Sequence, residues 1–143
     1  MPDRNASAVW EGNLKDGKGS MKLGSGAYEG AYSFISRFDS GAGGTNPEEL
    51  IGAAHAGCFS MAFAHALAEA GHTAKRVATK AKVSLVKGAD GFRIESIHLT
   101  CEGNVPGIDE KKFKEISEAA KTGCPVSKAL TGVKITLDAK LVK

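Results

Sequence analysis

Apolar residues along the first forty positions come in short runs broken by pairs of glycines. Ala8-Val9-Trp10-Glu11, Ser20 to Leu23 and Tyr28 to Phe38 read as strands, with turns at Gly17-Lys18-Gly19 and Gly24-Ser25-Gly26, and together they predict a β-meander. A flexible glycine-rich segment, Ser40-Gly41-Ala42-Gly43-Gly44, follows. The period then changes. Thr45 or Asn46 is placed to cap a helix, Pro47 suits its first position, and Glu48 and Glu49 fall in the first turn, where the helix dipole favours negative charge. This helix is predicted from Pro47 to Ala70, with Gly71 as its C-terminal glycine. Leu50, Ala54, Cys58, Met61, Ala62 and His65 follow i, i+4 spacing, yet Ala53, Ala56, Phe59, Phe63, Ala64 and Leu67 make the other faces apolar too. Such a helix must be covered nearly all round. A chain of 143 residues has limited material for that, so packing against a partner subunit, hence a homodimer, is expected.

Beyond Gly71 the period returns to two. Arg76 to Val86 and Phe92 to Val105 read as an antiparallel hairpin with one wet face, joined by the turn Lys87-Gly88-Ala89-Asp90-Gly91. Asp109 is placed to cap a second helix whose apolar stripe is Phe113, Ile116, Ala119 and Ala120, and Gly123 ends it. Cys124-Pro125 opens a short third helix to Leu130, and Val133 to Leu141 is a last strand. Strands and helices without regular βαβ alternation predict an α+β fold, a single domain over residues 1–143.

Charge and composition narrow the function classes. The formal charge of +3 comes from 19 Lys and Arg scattered among 16 Asp and Glu, so no nucleic-acid stripe is implied. The start, Met1-Pro2-Asp3-Arg4-Asn5, has no apolar h-region, and the apolar stretch from Ala53 to Ala70 is broken by His55, Ser60, His65 and Glu69. The expectation is a cytoplasmic protein with neither a secretory signal nor a membrane span. In that compartment cysteines stay reduced, so any disulfide is transient and chemical. Cys58, Cys101 and Cys124 contain no Cys-x-x-Cys, and His55 and His65 make no i, i+4 pair of the kind zinc helices use, so no metal is expected. A Gly-x-Ser-x-Gly elbow is absent as well.

The thiols carry the remaining chemistry. Cys58 lies in mid-helix with small neighbours, Ala54 and Gly57, that leave space at the sulfur, and with His55 and Glu48 toward the helix start. Cys124 has the stronger local case, because Gly123-Cys124-Pro125 puts it at a helix N-terminus, where unpaired amides favour a thiolate. By local chemistry alone Cys124 is the thiol of lower pKa. Cys101 alternates in phase with Ile97 and Leu99 and reads as core.

The run from Gly44 through Thr45-Asn46-Pro47-Glu48-Glu49 and His55-Ala56-Gly57-Cys58-Phe59-Ser60-Met61 to Ala62 resembles the signature of the osmotically inducible protein C family, OsmC. Gly123-Cys124-Pro125-Val126-Ser127 does so too, supported by Trp10-Glu11-Gly12, Lys18-Gly19, Ser36-Arg37-Phe38 and Val105-Pro106-Gly107-Ile108-Asp109. His-Ala-x-Cys-Phe is more similar to the OsmC branch than to the organic-hydroperoxide-resistance branch. The resemblance implies an intertwined homodimer and a thiol-dependent peroxidase in oxidative and osmotic stress defence, acting on organic hydroperoxides and less well on hydrogen peroxide. It implies that Cys58 attacks and Cys124 resolves, with Arg37 and Glu48 completing the catalytic set. No tightly bound cofactor is implied; the reductant is an external dithiol of the dihydrolipoamide type, free or on a lipoylated protein. A mid-helix thiol gains little from its own helix dipole, so Cys58 needs a cation from elsewhere, and Arg37 is the residue assigned to it. Phe38, Phe59, Met61 and Phe63 are candidates for an apolar approach to the sulfur, with core packing as the alternative for Met61 and Phe63. A peroxide sensor, or a dithiol oxidoreductase acting on disulfides, would use the same cysteines.

Overall fold

The computed structural model describes residues 1–39 and 43–143. Ser40, Gly41 and Ala42 of the expected flexible segment lie outside the described residues. The chain divides into two compact units, Met1–Leu50 and Ile51–Lys143.

In the first unit β1 (Ala6–Glu11), β2 (Lys18–Leu23) and β3 (Glu29–Tyr32) form an antiparallel sheet in the order β1-β2-β3, the expected meander. Its register places Gly19 opposite both Trp10 and Tyr32. The two rings close over that glycine with centroids 5.4 Å apart. A Cβ on Gly19 would lie 2.6 Å from Tyr32 Cε1 and 2.8 Å from Trp10 Cε3, so the aromatic pair needs a residue without one. The third strand is shorter than expected. Where the sequence suggested a strand to Phe38, Ser33 stops β3 and caps a helix, α1 (Phe34–Phe38): its hydroxyl accepts from Ser36 N, and the Ser36 hydroxyl accepts from Ser33 N. This capping box is a local polar signal that the apolar alternation of the segment hides.

The long helix, α2 (Pro47–Glu69), begins as expected. Asn46 is the cap, accepting from Glu49 N at 2.8 Å. At the other end Gly71 adopts φ +90°, and His72 N returns to Leu67 O at 2.9 Å. This is the 6→1 bond of a glycine-terminated helix. By length and composition α2 is apolar enough to cross a membrane, but Phe59, Phe63 and Leu67 on one side are fully buried in a protein core.

The second unit is built on a sheet in the order β4-β5-β6, from β4 (Arg76–Gly88), β5 (Gly91–Asn104) and β6 (Lys134–Val142). β4 and β5 pair antiparallel down to Gly88 and Gly91, so the expected five-residue turn is tighter than the sequence suggested. β5 and β6 pair parallel, because α3 (Glu110–Gly123) and α4 (Pro125–Ala129) carry the chain back before β6 starts. Asp109 caps α3 through a bond from Lys112 N. Its buried stripe is Phe113, Ser117 and Ala120, so Ser117 takes the place expected for Ala119, which is exposed. The Ser117 hydroxyl is satisfied by donating to Lys114 O at 2.7 Å, which is why a serine is tolerated there.

Phe113 joins the helices to the sheet. Its ring meets Phe63 edge to face at a centroid distance of 5.1 Å, and it occupies the space that a side chain on Gly103 of β5 would fill, with a hypothetical Cβ 2.6 Å from Phe113 Cε2. We expect Phe113→Ala to destabilise the protein by about 3–5 kcal/mol, the usual cost of emptying a buried aromatic site. The urea midpoint of unfolding measures it, and a loss below about 1 kcal/mol would mean that this ring does not carry the core.

Candidate active site

Cys124 is fixed at both of its backbone ends. Its N–H closes α3 on Ala120 O at 2.9 Å, and its C=O accepts from Lys128 N at 3.0 Å as α4 begins. The side chain is fully buried, and its Sγ lies 2.9 Å from Sγ of Cys58 on α2. Both are free thiols. Since a disulfide spans ~2.05 Å, closure asks for roughly 0.9 Å of movement, within the reach of side-chain rotation. The third thiol, Cys101, is buried in the core as expected, and burial pushes its pKa up.

The proton of the 2.9 Å contact can sit on either sulfur: drawn from Cys124 to Cys58 it links two thiols, and reversed it links a Cys58 thiol to a Cys124 thiolate. The surroundings favour the second arrangement. For Cys124, burial alone would raise the pKa, but the bond from Cys58, the Ser127 N–H and hydroxyl, and the Val126 N–H outweigh it and hold the thiol below its ordinary value. For Cys58 the balance is opposite: burial first, then the bond to Cys124 and the charge there, raise the pKa, against the single lowering contribution of the Val126 N–H. The expectation drawn from local chemistry, that Cys124 is the readier thiolate, therefore fits the geometry. Its cause is broader than a helix end, since a side-chain hydroxyl takes part.

That hydroxyl belongs to Ser127, the last residue of the Gly123-Cys124-Pro125-Val126-Ser127 motif, for which the sequence implies no role. Its Oγ also lies 2.8 Å from Nε2 of His55. His55 is fully buried, its pKa is lowered by desolvation, and its Nδ1 has no hydrogen-bond partner. It is thus a neutral group bonded to Ser127, not a cation beside Cys58. Only the distance between residues 55 and 127 along the chain concealed the pairing.

Arg37 and Glu48 are brought together within the first unit. Arg37 Nη2 approaches Glu48 Oε1 at 2.6 Å, and its Nε lies 3.1 and 3.2 Å from the two carboxylate oxygens. α1 is tied to the start of α2 by Asn46 Nδ2 donating to Ser36 O at 3.0 Å and Ser36 Oγ donating to Thr45 O at 2.8 Å. Those bonds fix the carboxylate under the guanidinium. Glu48 is buried and Arg37 remains partly exposed, so the cation has one face engaged and one free of Glu48. Of the residues expected to form an apolar approach, Phe59 and Phe63 are instead fully buried in the core, while Met61 is 75% exposed and Phe38 lies at the surface. Among the described residues no cluster of three or more His, Cys, Asp or Glu is arranged to hold a metal ion.

Neutral burial of His55 has a stability consequence. Its folded pKa lies below the unfolded value of ~6.5, so its contribution is present above that pH and is lost as pH falls and the unfolded chain takes up the extra proton. Between about pH 7 and pH 5 the urea midpoint of the parent should fall more steeply than that of His55→Gln. Equal slopes would contradict a buried neutral imidazole.

Residues 39–138 match the family model described as OsmC-like protein. The chain is 50% identical to Peroxiredoxin OsmC of Escherichia coli (strain K12) over 139 residues, 96% of each chain. It is 36% identical over 100 residues, 68% of each, to the organic hydroperoxide resistance protein OhrB of Bacillus subtilis (strain 168). The crystal structure of OhrB superposes with a TM-score of 0.72 at 29% identity, covering 95% of this chain and 98% of that one. The α+β arrangement of two small sheets and helices is thus the OsmC and Ohr fold. A sulfur pair at 2.9 Å, in a chain that keeps the sequence of a named relative over nearly its whole length, leads to one assignment: this protein belongs to the OsmC-like family.

Proposed function

We propose that the protein is a peroxidase that reduces hydroperoxides, organic ones in preference to hydrogen peroxide, through Cys58 and Cys124. The observation that carries the reading is the 2.9 Å separation of two free sulfurs from α2 and the α3–α4 junction. The names of the relatives, a peroxiredoxin and an organic hydroperoxide resistance protein, agree with peroxide as the oxidant. Cys58 is the attacking sulfur, because it is the partly exposed member of the pair and the open position of Gly57, with no atom within 4 Å of a hypothetical Cβ, borders it. Its thiolate displaces alcohol or water from the distal peroxide oxygen and becomes a sulfenic acid. Cys124, fully buried, is the resolving sulfur; its attack forms the disulfide and releases the hydroxyl as water.

Attack by Cys58 needs the negative charge moved onto a sulfur whose surroundings raise its pKa. Arg37 supplies the permanent cation, with Glu48 holding its fork in place. We place this charge at Cys58 in a homodimer of intertwined chains. Support for a dimer comes from what a single chain leaves uncovered: Met61, Ala53, Ala54, Gly57 and Ala68 along α2, and Val9, Leu23 and Ile35 in the first unit. Turnover is completed by an external dithiol of the dihydrolipoamide type, free or carried on a lipoylated protein.

Intact mass spectrometry after one equivalent of cumene hydroperoxide tests the reading. The parent should lose two hydrogens with Cys58 and Cys124 linked; protein that stays fully reduced would refute it, and faster reaction with a disulfide substrate would indicate a dithiol oxidoreductase instead. Cys58→Ser should abolish hydroperoxide consumption. Cys124→Ser should oxidise Cys58 once and stop without an intramolecular disulfide, and a bond to Cys101 in that variant would move the resolving role.

A further inference from the structure

Among the described residues, two side-chain hydrogen bonds join α2 to the start of α4. One is the 2.9 Å contact of the Cys58 and Cys124 sulfurs. The other pairs His55 Nε2 with Ser127 Oγ at 2.8 Å. The two bonds run side by side, because His55 stands three residues before Cys58 on α2 and Ser127 three residues after Cys124, so each partner of the second bond lies one helical turn from a sulfur. On the α4 side that turn is closed by backbone, with Lys128 N donating to Cys124 O and Leu130 N to Val126 O, both at 3.0 Å. Ser127 and Cys124 therefore move as one piece.

The second bond resists opening. His55 and Ser127 are both buried, and His55 Nδ1 has no hydrogen-bond partner. The ring's one hydrogen then belongs on Nε2, where Ser127 Oγ receives it and only a lone pair is left over at Nδ1. Moving α4 away from α2 would strand that N–H in a dry core. The sulfur contact offers no such constancy through a catalytic cycle. Once Cys58 carries the oxygen of a sulfenic acid, its sulfur is no longer the thiol that Cys124 meets in the reduced protein, and the link that remains is the one involving neither sulfur.

We propose that His55 and Ser127 are positioning residues: their hydrogen bond is a strut that keeps Cys124 beside Cys58 while Cys58 is oxidised, so that the disulfide closes before a second hydroperoxide arrives. The proposal rests on the peroxidase reading above. Two reactions compete for the sulfenic acid. In closure the Cys124 sulfur attacks the Cys58 sulfur, the S–S bond forms as the S–O bond breaks, and the oxygen leaves as water with the proton that Cys124 gives up. In overoxidation the sulfenic sulfur attacks the distal oxygen of a second hydroperoxide, the O–O bond breaks, alcohol leaves, and Cys58 ends as a sulfinic acid that a dithiol does not restore. Closure is intramolecular and depends on how well Cys124 is held in reach, whereas overoxidation rises with hydroperoxide concentration. The strut thus sets the concentration at which the protein begins to destroy itself.

The experiment exposes the parent, Ser127→Ala, His55→Leu and the double variant to rising cumene hydroperoxide and separates disulfide, a loss of two hydrogens, from sulfinic acid, a gain of two oxygens, by intact mass. The concentration giving equal amounts of the two should fall about fivefold in Ser127→Ala, the worth of one buried hydrogen bond. His55→Leu should match it, and the double variant should be no worse than either single one, because all three lack the same bond. An unchanged partition in Ser127→Ala, an effect there that His55→Leu does not share, or additive losses in the double variant would overturn the strut. Should these variants fail to fold, Cys124→Ser with Cys58 held as its sulfenic acid decides: proton NMR should find the His55 Nε2–H protected from solvent exchange, and a freely exchanging one would overturn the proposal. If hydroperoxide oxidises no cysteine of the parent, the peroxidase reading fails, and closure driven by diamide still judges the strut, about fivefold slower in Ser127→Ala if it holds and equal if it does not.

Discussion

The edge-to-face contact of Phe63 with Phe113 is the constraint from which the sulfur geometry follows. Cys58 lies five residues before one ring and Cys124 eleven residues after the other, so the aromatic pair sets the distance between two segments that are remote in sequence. Gly103 makes the contact possible by leaving β5 without a side chain where the Phe113 ring rests. A core this dense transmits small errors, because packed interiors do not deform continuously. A sulfur pair held at 2.9 Å depends on such stiffness.

Within that frame the chemistry is a contest over one negative charge. The surroundings lower the pKa of Cys124 and raise that of Cys58, so of the two sulfurs the buried one is the readier to carry the charge. The attack proposed for Cys58 therefore calls for a positive group near that sulfur. The ion pair of Arg37 with Glu48 is a candidate suited to this task, since the carboxylate fixes the orientation of the guanidinium without occupying all its donors. An arginine keeps its charge at every relevant pH, which a histidine would not.

Much of the fold was legible in the sequence because local rules and tertiary structure agree there. Gly71 ends α2, Asp109 caps α3, and Cys124-Pro125 opens α4, each where turn and cap chemistry placed it. The failures have particular causes. The strand expected to reach Phe38 gives way to α1 because a Ser33–Ser36 capping box outweighs apolar alternation. The parallel pairing of β6 with β5 depends on the return path through two helices, which no periodicity encodes. For the site, motif resemblance pointed to all four expected residues, and the structure pairs Arg37 with Glu48 and Cys58 with Cys124. Ser127 escaped because a lone serine two residues after a proline carries no signal of its own, and the partner of His55 lies on another element, where helical spacing does not reach.

An odd number of thiols is a hazard for any protein that handles oxidants, because the unpaired one can capture the wrong partner. Here the sheet disposes of the problem: Cys101 points into the core among Ile97 and Leu99, with a raised pKa that keeps it a thiol and a Thr79 hydroxyl as its hydrogen-bond partner. Its sulfur is sequestered from both peroxide and mixed-disulfide exchange. Of the three sulfurs, two stand within contact of each other and the third is set apart in the core, so the pairing open to oxidation is decided by packing before any oxidant arrives.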